Sequence, residues 1–313
     1  MAFISLQRVS TQSRGLRRIA VPLGRVALCA AVLVPVLYLL GNHLSEMDRA
    51  EVAASLQRIP LAAIAISVLL TGISLLAAAQ YDDVALRQLG YAVGQRRARQ
   101  GGFVAIGLSQ TLGMGLLTGT FVRWRLYRDQ GIGLPQAGLI SGMVAAGFIG
   151  GFAVVLAAIA LVEPNGLVNL TKWSPATVRS LAAAILVASA GVALASLWQP
   201  RLTFGRISIG VPRFRVLRMQ IALAAIDTVP AALALWILIP AESAPAMMVV
   251  IPVYLAALGV GLLSNTPGGL GVLELACLSA LTVTPPETLV AALIAHRAIY
   301  FGLPALLSAA LLA

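Results

Sequence analysis

The stretch Ser264-Asn265-Thr266-Pro267-Gly268-Gly269-Leu270-Gly271-Val272-Leu273-Glu274 interrupts a long apolar region, with apolar runs over 246–263 and 275–283 on either side. Lipid offers no hydrogen-bond partner to a loose backbone, so a break at membrane depth requires protein or a wet cavity around it. Transporters place their binding sites at such broken helices. The residue before a proline is driven out of the α region, so the incoming helix is expected to stop near Asn265. Thr266 is a good N-cap and Pro267 suits the first helical position. A new helix is therefore expected to start there, its free N–H groups and positive dipole end facing a site that attracts anions, phosphate included. Gly268, Gly269 and Gly271 leave room for a ligand or another helix, and Glu274 falls on the same face one turn on. The same residues also fit a kinked packing helix whose glycines only permit close contact.

Composition sets the class. The chain has 313 residues, 59% hydrophobic and 11% charged, with a mean hydropathy of +0.93. These values define a polytopic helical membrane protein. The net charge of +11 would suggest nucleic acid in a soluble protein. Here the basic residues lie between apolar runs, where they mark cytoplasmic loops and anionic headgroups, so no nucleic-acid partner is expected. Residues 1–25 read as a basic cytoplasmic N-terminus, and 26–313 as a single integral-membrane domain. The run from Val26 to Leu40 lacks a small-x-small cleavage site after it, which favours an uncleaved first span.

Six further spans follow, at about 60–80, 138–162, 179–198, 217–239, 246–263 and 288–312. The architecture is all-α, with about seven full spans and two Gly-broken re-entrant segments, 102–121 and 266–283. The first of these is rich in glycine and hydroxyls and leads into Arg123-Trp124-Arg125-Leu126-Tyr127-Arg128. If it returns to the side it came from, the basic residues of 87–99 and 123–128 share a side with the N-terminus and with 201–218. If it crosses, the positive charge divides almost evenly, so the positive-inside rule selects the re-entrant reading. Paired interruptions in the two halves of a chain point to a transport site between them.

Charges inside apolar segments are costly and need partners or water. Asp227, Glu274, His296 and Arg297 are such residues. A buried network of Arg297 with Glu274 or Asp227 is the simplest arrangement; such pairs also serve only to hold helices in register. Arg123 and Arg125 are either interfacial anchors beside Trp124 and Tyr127 or forks for a lipid phosphate. Asp82 and Asp83 either terminate a helix or meet a cationic headgroup. The sequence shows no P-loop, no metal-ligand cluster and no Ser-His-Asp arrangement around its two histidines, His43 and His296. No catalytic residue, metal or cofactor is expected, and the chain reads as a non-enzyme.

Four motifs, in this order, carry a resemblance: SQTLGMGLLTGTFVRWRLYRDQG at 109–131, IDTVPAALALWIL at 226–238, NTPGGLGVLE at 265–274 and AHRAIYFGLPALL at 295–307. They resemble the transmembrane flippase region of the lysyl-phosphatidylglycerol synthase/flippase family, the bacterial multiple peptide resistance factors, over nearly the whole chain. The resemblance implies translocation of an aminoacylated phosphatidylglycerol, or a related anionic lipid, across the bacterial cytoplasmic membrane. This lowers negative surface charge and blunts cationic antimicrobial peptides. The aminoacyltransferase domain of bifunctional members is not in this sequence, so lipid synthesis is expected of a separate synthase. The expected lipid site draws on Arg123, Arg125, Asp227, Thr266, Gly268, Gly269, Gly271, Glu274, Arg297 and Tyr300. The expected partners are membrane phospholipid, with a separate synthase and a second copy of the chain as candidates. A secondary transporter of a small charged solute and a membrane subunit of a lipid synthase are the alternatives.

Overall fold

The computed structural model describes residues 48–198, 201–204, 207–210, 212–264 and 267–312. The expected basic N-terminus, the first span, Asn265 and Thr266 lie outside the described residues. Six helical runs among those described are long and apolar enough to cross a membrane: Leu61–Gln88, Leu134–Val162, Pro175–Leu197, Phe214–Trp236, Met247–Ser264 and Pro286–Leu311. They coincide with the six further spans read from the sequence, and the protein is a polytopic helical membrane protein.

The elements are α1 (Arg49–Gln57), α2 (Leu61–Ala78), α3 (Gln80–Gln88), α4 (Gln95–Leu112), α5 (Gly115–Tyr127), α6 (Leu134–Val162), α7 (Asn165–Thr171) and α8 (Pro175–Trp198). A short hairpin of β1 (Arg201–Phe204) and β2 (Ile207–Gly210) follows, then α9 (Phe214–Trp236), α10 (Met247–Ser264), α11 (Val272–Ala280), α12 (Pro286–Arg297) and α13 (Leu303–Leu312). The antiparallel β-hairpin, with Arg201 opposite Gly210, occupies the basic stretch where the sequence suggests only a loop.

The central helices α2, α6 and α9 meet through small and hydroxyl side chains. Helix α2 carries Ser67, Thr71 and Ser74 on its buried side, at the three- and four-residue spacing that aligns them on one face. Ser67 donates to the Ala234 carbonyl at 2.9 Å and Ser74 to Asp227 at 2.7 Å, which fixes α2 antiparallel to α9. Between helices in lipid, where apolar burial gives little preference, such close packing and polar contacts drive association.

Two helical hairpins enter this bundle from opposite ends. In the first, α4 and α5 pack side by side around a break at Gly113 and Met114, both at positive φ. The open ends of the two arms adjoin: Arg97 donates to the Leu126 carbonyl and pairs with Asp129, and the Tyr127 hydroxyl donates to the Ala98 carbonyl at 3.0 Å. The chain thus leaves the 102–121 segment at the end where it came in, as the charge distribution predicts. In the second, α10 descends from the other end, the chain turns through Pro267–Gly269 and Gly271, and α11 runs back along α10. Thr284 donates to the Ser243 carbonyl at 2.8 Å, so both ends of this hairpin also lie together.

The interrupted 266–283 segment is therefore the returning arm of a hairpin whose incoming arm is α10. Helix α12 starts at that same end, packed on α1. The two tips meet inside the bundle, where a Cβ on Gly268 would lie 3.7 Å from the Gln110 carbonyl oxygen.

This arrangement predicts a labelling pattern. Cysteines at positions 99 and 128 should react with a membrane-impermeant maleimide from one side of the membrane, and cysteines at 242 and 283 from the other. Reaction of 128 and 283 from the same side would rule out opposed hairpins.

Candidate functional site

The tips, α2, α3, α6 and α9 enclose a cavity of about 280 Å³. Its polar wall comprises Tyr81, Ser109, Gln110, Arg123, Ser141, Asp227, Thr228 and Tyr300, and Gly268 and Gly269 form part of the tip wall. Apolar residues lining the same cavity are open to the outside: Met114 is 53% exposed, Leu116 52%, Ile149 56% and Leu262 45%. Ile149 lies near the middle of α6 and the others near the two tips, so the mouth faces sideways at the depth of lipid rather than toward water.

The first hairpin is tied to α3 by ions. Arg123 forks onto Asp82, with Nε 2.9 Å from Oδ2 and Nη2 2.6 Å from Oδ1. Its Nη1 donates to Ser141 Oγ at 3.0 Å. The Tyr127 hydroxyl donates to Asp82 Oδ2 at 2.9 Å. All four residues are buried, and a bidentate guanidinium–carboxylate pair is among the strongest of charged contacts. Asp83 pairs with Arg87 one turn along α3. Asp82 thus neither simply ends a helix nor stands free for a headgroup.

The second tip depends on glycine. Gly268, Gly269 and Gly271 have φ of 59°, 62° and 81°, values that side chains other than glycine rarely adopt. Pro267–Gly269 forms a 3-10 turn and α11 begins only at Val272, with Gly271 as its N-cap. This corrects the helix start expected at Thr266 and Pro267, because a succession of left-handed residues cannot continue an α-helix. The incoming helix does end at Ser264.

Glu274 reaches back to accept from the Gly271 N–H at 2.8 Å and pairs with Arg297. Arg297 also donates to the Gly268 carbonyl at 3.0 Å and lies over the Phe301 ring. The N–H of the α11 N-cap, Gly271, is therefore taken by Glu274 rather than offered to an anion. Neither Glu274 nor Arg297 lines the cavity; together they brace the tip from behind. Gly271 belongs to that brace as well.

Asp227 stands apart from Arg297. It is 4% exposed, lines the cavity and accepts from Ser74 at Oδ1. The Ser74 oxygen lies 3.0 Å from the Tyr300 hydroxyl. Tyr300 sits in a π-helical turn, Ala298–Gly302, between α12 and α13, and stacks on His296 with ring centres 5.2 Å apart. His296 is turned to the Ala231 carbonyl at 3.2 Å. Thr111 of the first hairpin donates to the Phe301 carbonyl at 3.2 Å, supplying a partner where the helical ladder is disturbed.

Of the expected site residues, Arg123, Asp227, Gly268, Gly269 and Tyr300 gather at one cavity. Arg125 does not. It is exposed at the open end of the first hairpin, beside Arg97, Arg128 and Asp129, because two residues along a helix turn a side chain to the opposite face from Arg123. There, a hydrogen bond from Arg97 holds the Asp129 carboxyl below its ordinary range. Sequence reasoning missed Ser74, Tyr81, Gln110 and Ser141. The periodic hydroxyls Ser67, Thr71 and Ser74 in an otherwise apolar helix carried the signal for the first of these.

The chain is a helical membrane protein in which two opposed broken hairpins meet at a laterally open polar cavity. Residues 23–308 match the family described as the lysylphosphatidylglycerol synthase TM region, and the chain belongs to that family. It is also similar to the uncharacterized protein slr0712 of Synechocystis sp., 29% identical over 228 residues that cover 72% of this chain and 70% of the relative. Family membership ties this membrane protein to lipid handling.

The Asp82–Arg123 pair makes a stability prediction. Arg123→Met leaves a buried carboxylate without its counter-charge and should cost about 3–5 kcal/mol. Adding Asp82→Asn should recover part of the loss. Thermal unfolding in detergent measures both, and a double variant no more stable than the single would refute the pairing.

Proposed function

We propose that the protein is a phospholipid flippase or scramblase that moves an aminoacylated phosphatidylglycerol, lysyl-phosphatidylglycerol in the first instance, or a related anionic lipid, between the leaflets of the bacterial cytoplasmic membrane. The observation that carries this reading is the cavity, polar within and open sideways through apolar residues at the meeting point of two broken hairpins. A phospholipid has the same division: a charged headgroup for the interior and acyl chains that stay in lipid. Family membership supports the same substrate class.

In this mechanism the headgroup passes the mouth between Met114 and Leu262 and exchanges water for the hydroxyls and amides of Ser109, Gln110, Ser141 and Tyr300. The phosphate meets the N–H-bearing edge of Arg123, whose charge is already balanced by Asp82, so the cavity gains a donor without a large unpaired positive charge. The tips then separate the headgroup from one end of the bundle or the other. The cavity residues make no covalent change to the lipid. Direction follows from supply on one leaflet, or from membrane potential when the lipid is cationic. The N-terminus lies on the cytoplasmic side, with the basic open end of the first hairpin.

The test uses the full chain in liposomes containing fluorescent lysyl-phosphatidylglycerol or phosphatidylglycerol, with a membrane-impermeant quencher outside. Wild-type protein should expose the inner-leaflet pool to quenching. Ala145→Trp, which fills the cavity from α6, should abolish exposure while the protein remains folded and monodisperse. Transfer at the wild-type rate through a folded Ala145→Trp variant would exclude this cavity as the route. Absence of transfer by the wild type would exclude autonomous translocation.

A further inference from the structure

Three acids inside this bundle have a basic partner: Asp82 is held by Arg123, Asp83 by Arg87 and Glu274 by Arg297. Asp227 has none among the described residues. It is buried, lines the cavity and accepts from Ser74 at Oδ1. No hydrogen bond from the described residues reaches its Oδ2.

The elements packed against α9 supply no counter-charge. Helices α2 and α6 carry no titratable side chain. Helix α8 brings Arg179, which is exposed and donates to the Leu161 carbonyl. Helix α10 brings the Tyr254 hydroxyl, and the π-turn brings that of Tyr300. Helix α3 brings the Tyr81 hydroxyl, its Asp82, Asp83 and Arg87 being already paired. Helix α12 brings Glu287 in its first turn, Arg297, which is turned to Glu274, and His296. The His296 Nε2 donates to the Ala231 carbonyl, and Nδ1 has no partner, which is the bonding of a neutral imidazole. Within α9, Arg218 lies more than two turns before Asp227. Arg123 lines the cavity, but Asp82 balances its charge. An ionised Asp227 would therefore be a lone charge at membrane depth, a costly state.

The surroundings suit a proton rather than a metal ion. A hard metal cation needs several oxygens turned toward it. Ser74 gives its hydrogen to Asp227 and accepts that of Tyr300, while Thr228 donates to the Ala224 carbonyl at 2.7 Å. No metal-binding group of His, Cys, Asp and Glu side chains occurs among the described residues.

We infer that Asp227 is a proton-binding site, and that its proton and an anionic headgroup occupy the cavity together. The second half rests on the reading of this cavity as a lipid site and deepens it. With Arg123 already balanced, an anionic headgroup brings one negative charge, and an ionised Asp227 would set a second beside it in a small, poorly solvated volume. A proton on Oδ2 removes that repulsion and turns an acceptor into a donor. The carboxyl is also joined through Ser74 to Tyr300, in the π-turn where Thr111 anchors the first hairpin. The sign follows: binding of an anionic lipid is strongest at low pH and is lost as pH rises through the titration of Asp227.

Two measurements on the full chain in detergent test this apart from transport. Infrared difference spectra between about pH 5 and about pH 9 should show the C=O stretch of a protonated carboxyl at the acid end, downshifted in D2O and missing from Asp227→Asn. Titration with dioctanoyl phosphatidylglycerol, whose phosphodiester keeps one charge throughout, should give at least about tenfold weaker binding at the alkaline end. The Asp227→Asn profile should be flat. Should that variant fail to fold, Asp227→Glu should shift both the band and the midpoint of the binding profile. A carboxyl band unchanged by these substitutions would overturn the proton site, as would binding that follows sodium rather than pH. A titrating Asp227 with pH-independent lipid binding would overturn its link to the headgroup. Both expected results together with no transfer in liposomes would keep the proton site and remove the translocation reading.

Discussion

A backbone that turns inside a bilayer must find every hydrogen-bond partner within the protein, and at the second tip that demand falls on Arg297. Its guanidinium holds the Gly268 carbonyl and the Glu274 carboxylate, while Glu274 caps the Gly271 N–H. Three left-handed glycines are stabilised as a group by one arginine from a neighbouring helix. The lack of side chains that makes the turn sterically possible leaves it without packing of its own. The brace from α12 is thus what converts a flexible sequence into a defined wall.

The first tip is solved differently. There the arginine belongs to the hairpin, and the acid to the bundle: Arg123 reaches from α5 to Asp82 on α3. In both cases an ion pair, buried at Asp82–Arg123 and partly buried at Glu274–Arg297, joins a short arm to a neighbouring helix. Such a pair returns little net stability after desolvation, but its directionality fixes depth and rotation. For two hairpins that must meet tip to tip, that positional information is what matters. The hydroxyls of Thr111 and Ser74 complete the connection by linking the first hairpin and α2 to the π-turn that carries Tyr300.

Much of the architecture was legible because it follows from hydropathy and charge alone. The six described long runs could be read from apolar length, and the return of 102–121 from the placement of arginines at 87–99 and 123–128. The break at 264–271 was legible from Pro267 and its glycines, and the rule that membrane charges seek partners narrowed Arg297 to Glu274 or Asp227, of which the fold pairs it with Glu274. What the sequence hid was pairing across the fold. Nothing local distinguishes Arg123, which turns inward to Asp82, from Arg125, which turns out to solvent; the difference is one of helix phase against a distant neighbour. Likewise Pro267 signals a helix start, but the glycines after it adopt left-handed angles that only the Arg297 brace makes stable. The second hairpin's incoming arm was hidden because α10 has the length of a full span.

Under the proposed function, the sideways mouth has a consequence for how a lipid reaches the cavity. A site opening to water samples molecules by their molar concentration. A site framed by Met114, Leu116, Ile149 and Leu262 samples a two-dimensional fluid in which every neighbour is an amphiphile and a competitor. Its occupancy follows mole fraction within a leaflet, and acyl chains common to all lipids contribute nothing to choice. Discrimination has to arise in the small polar volume behind the mouth, so a change in bilayer composition alters occupancy even when the amount of the preferred lipid stays constant.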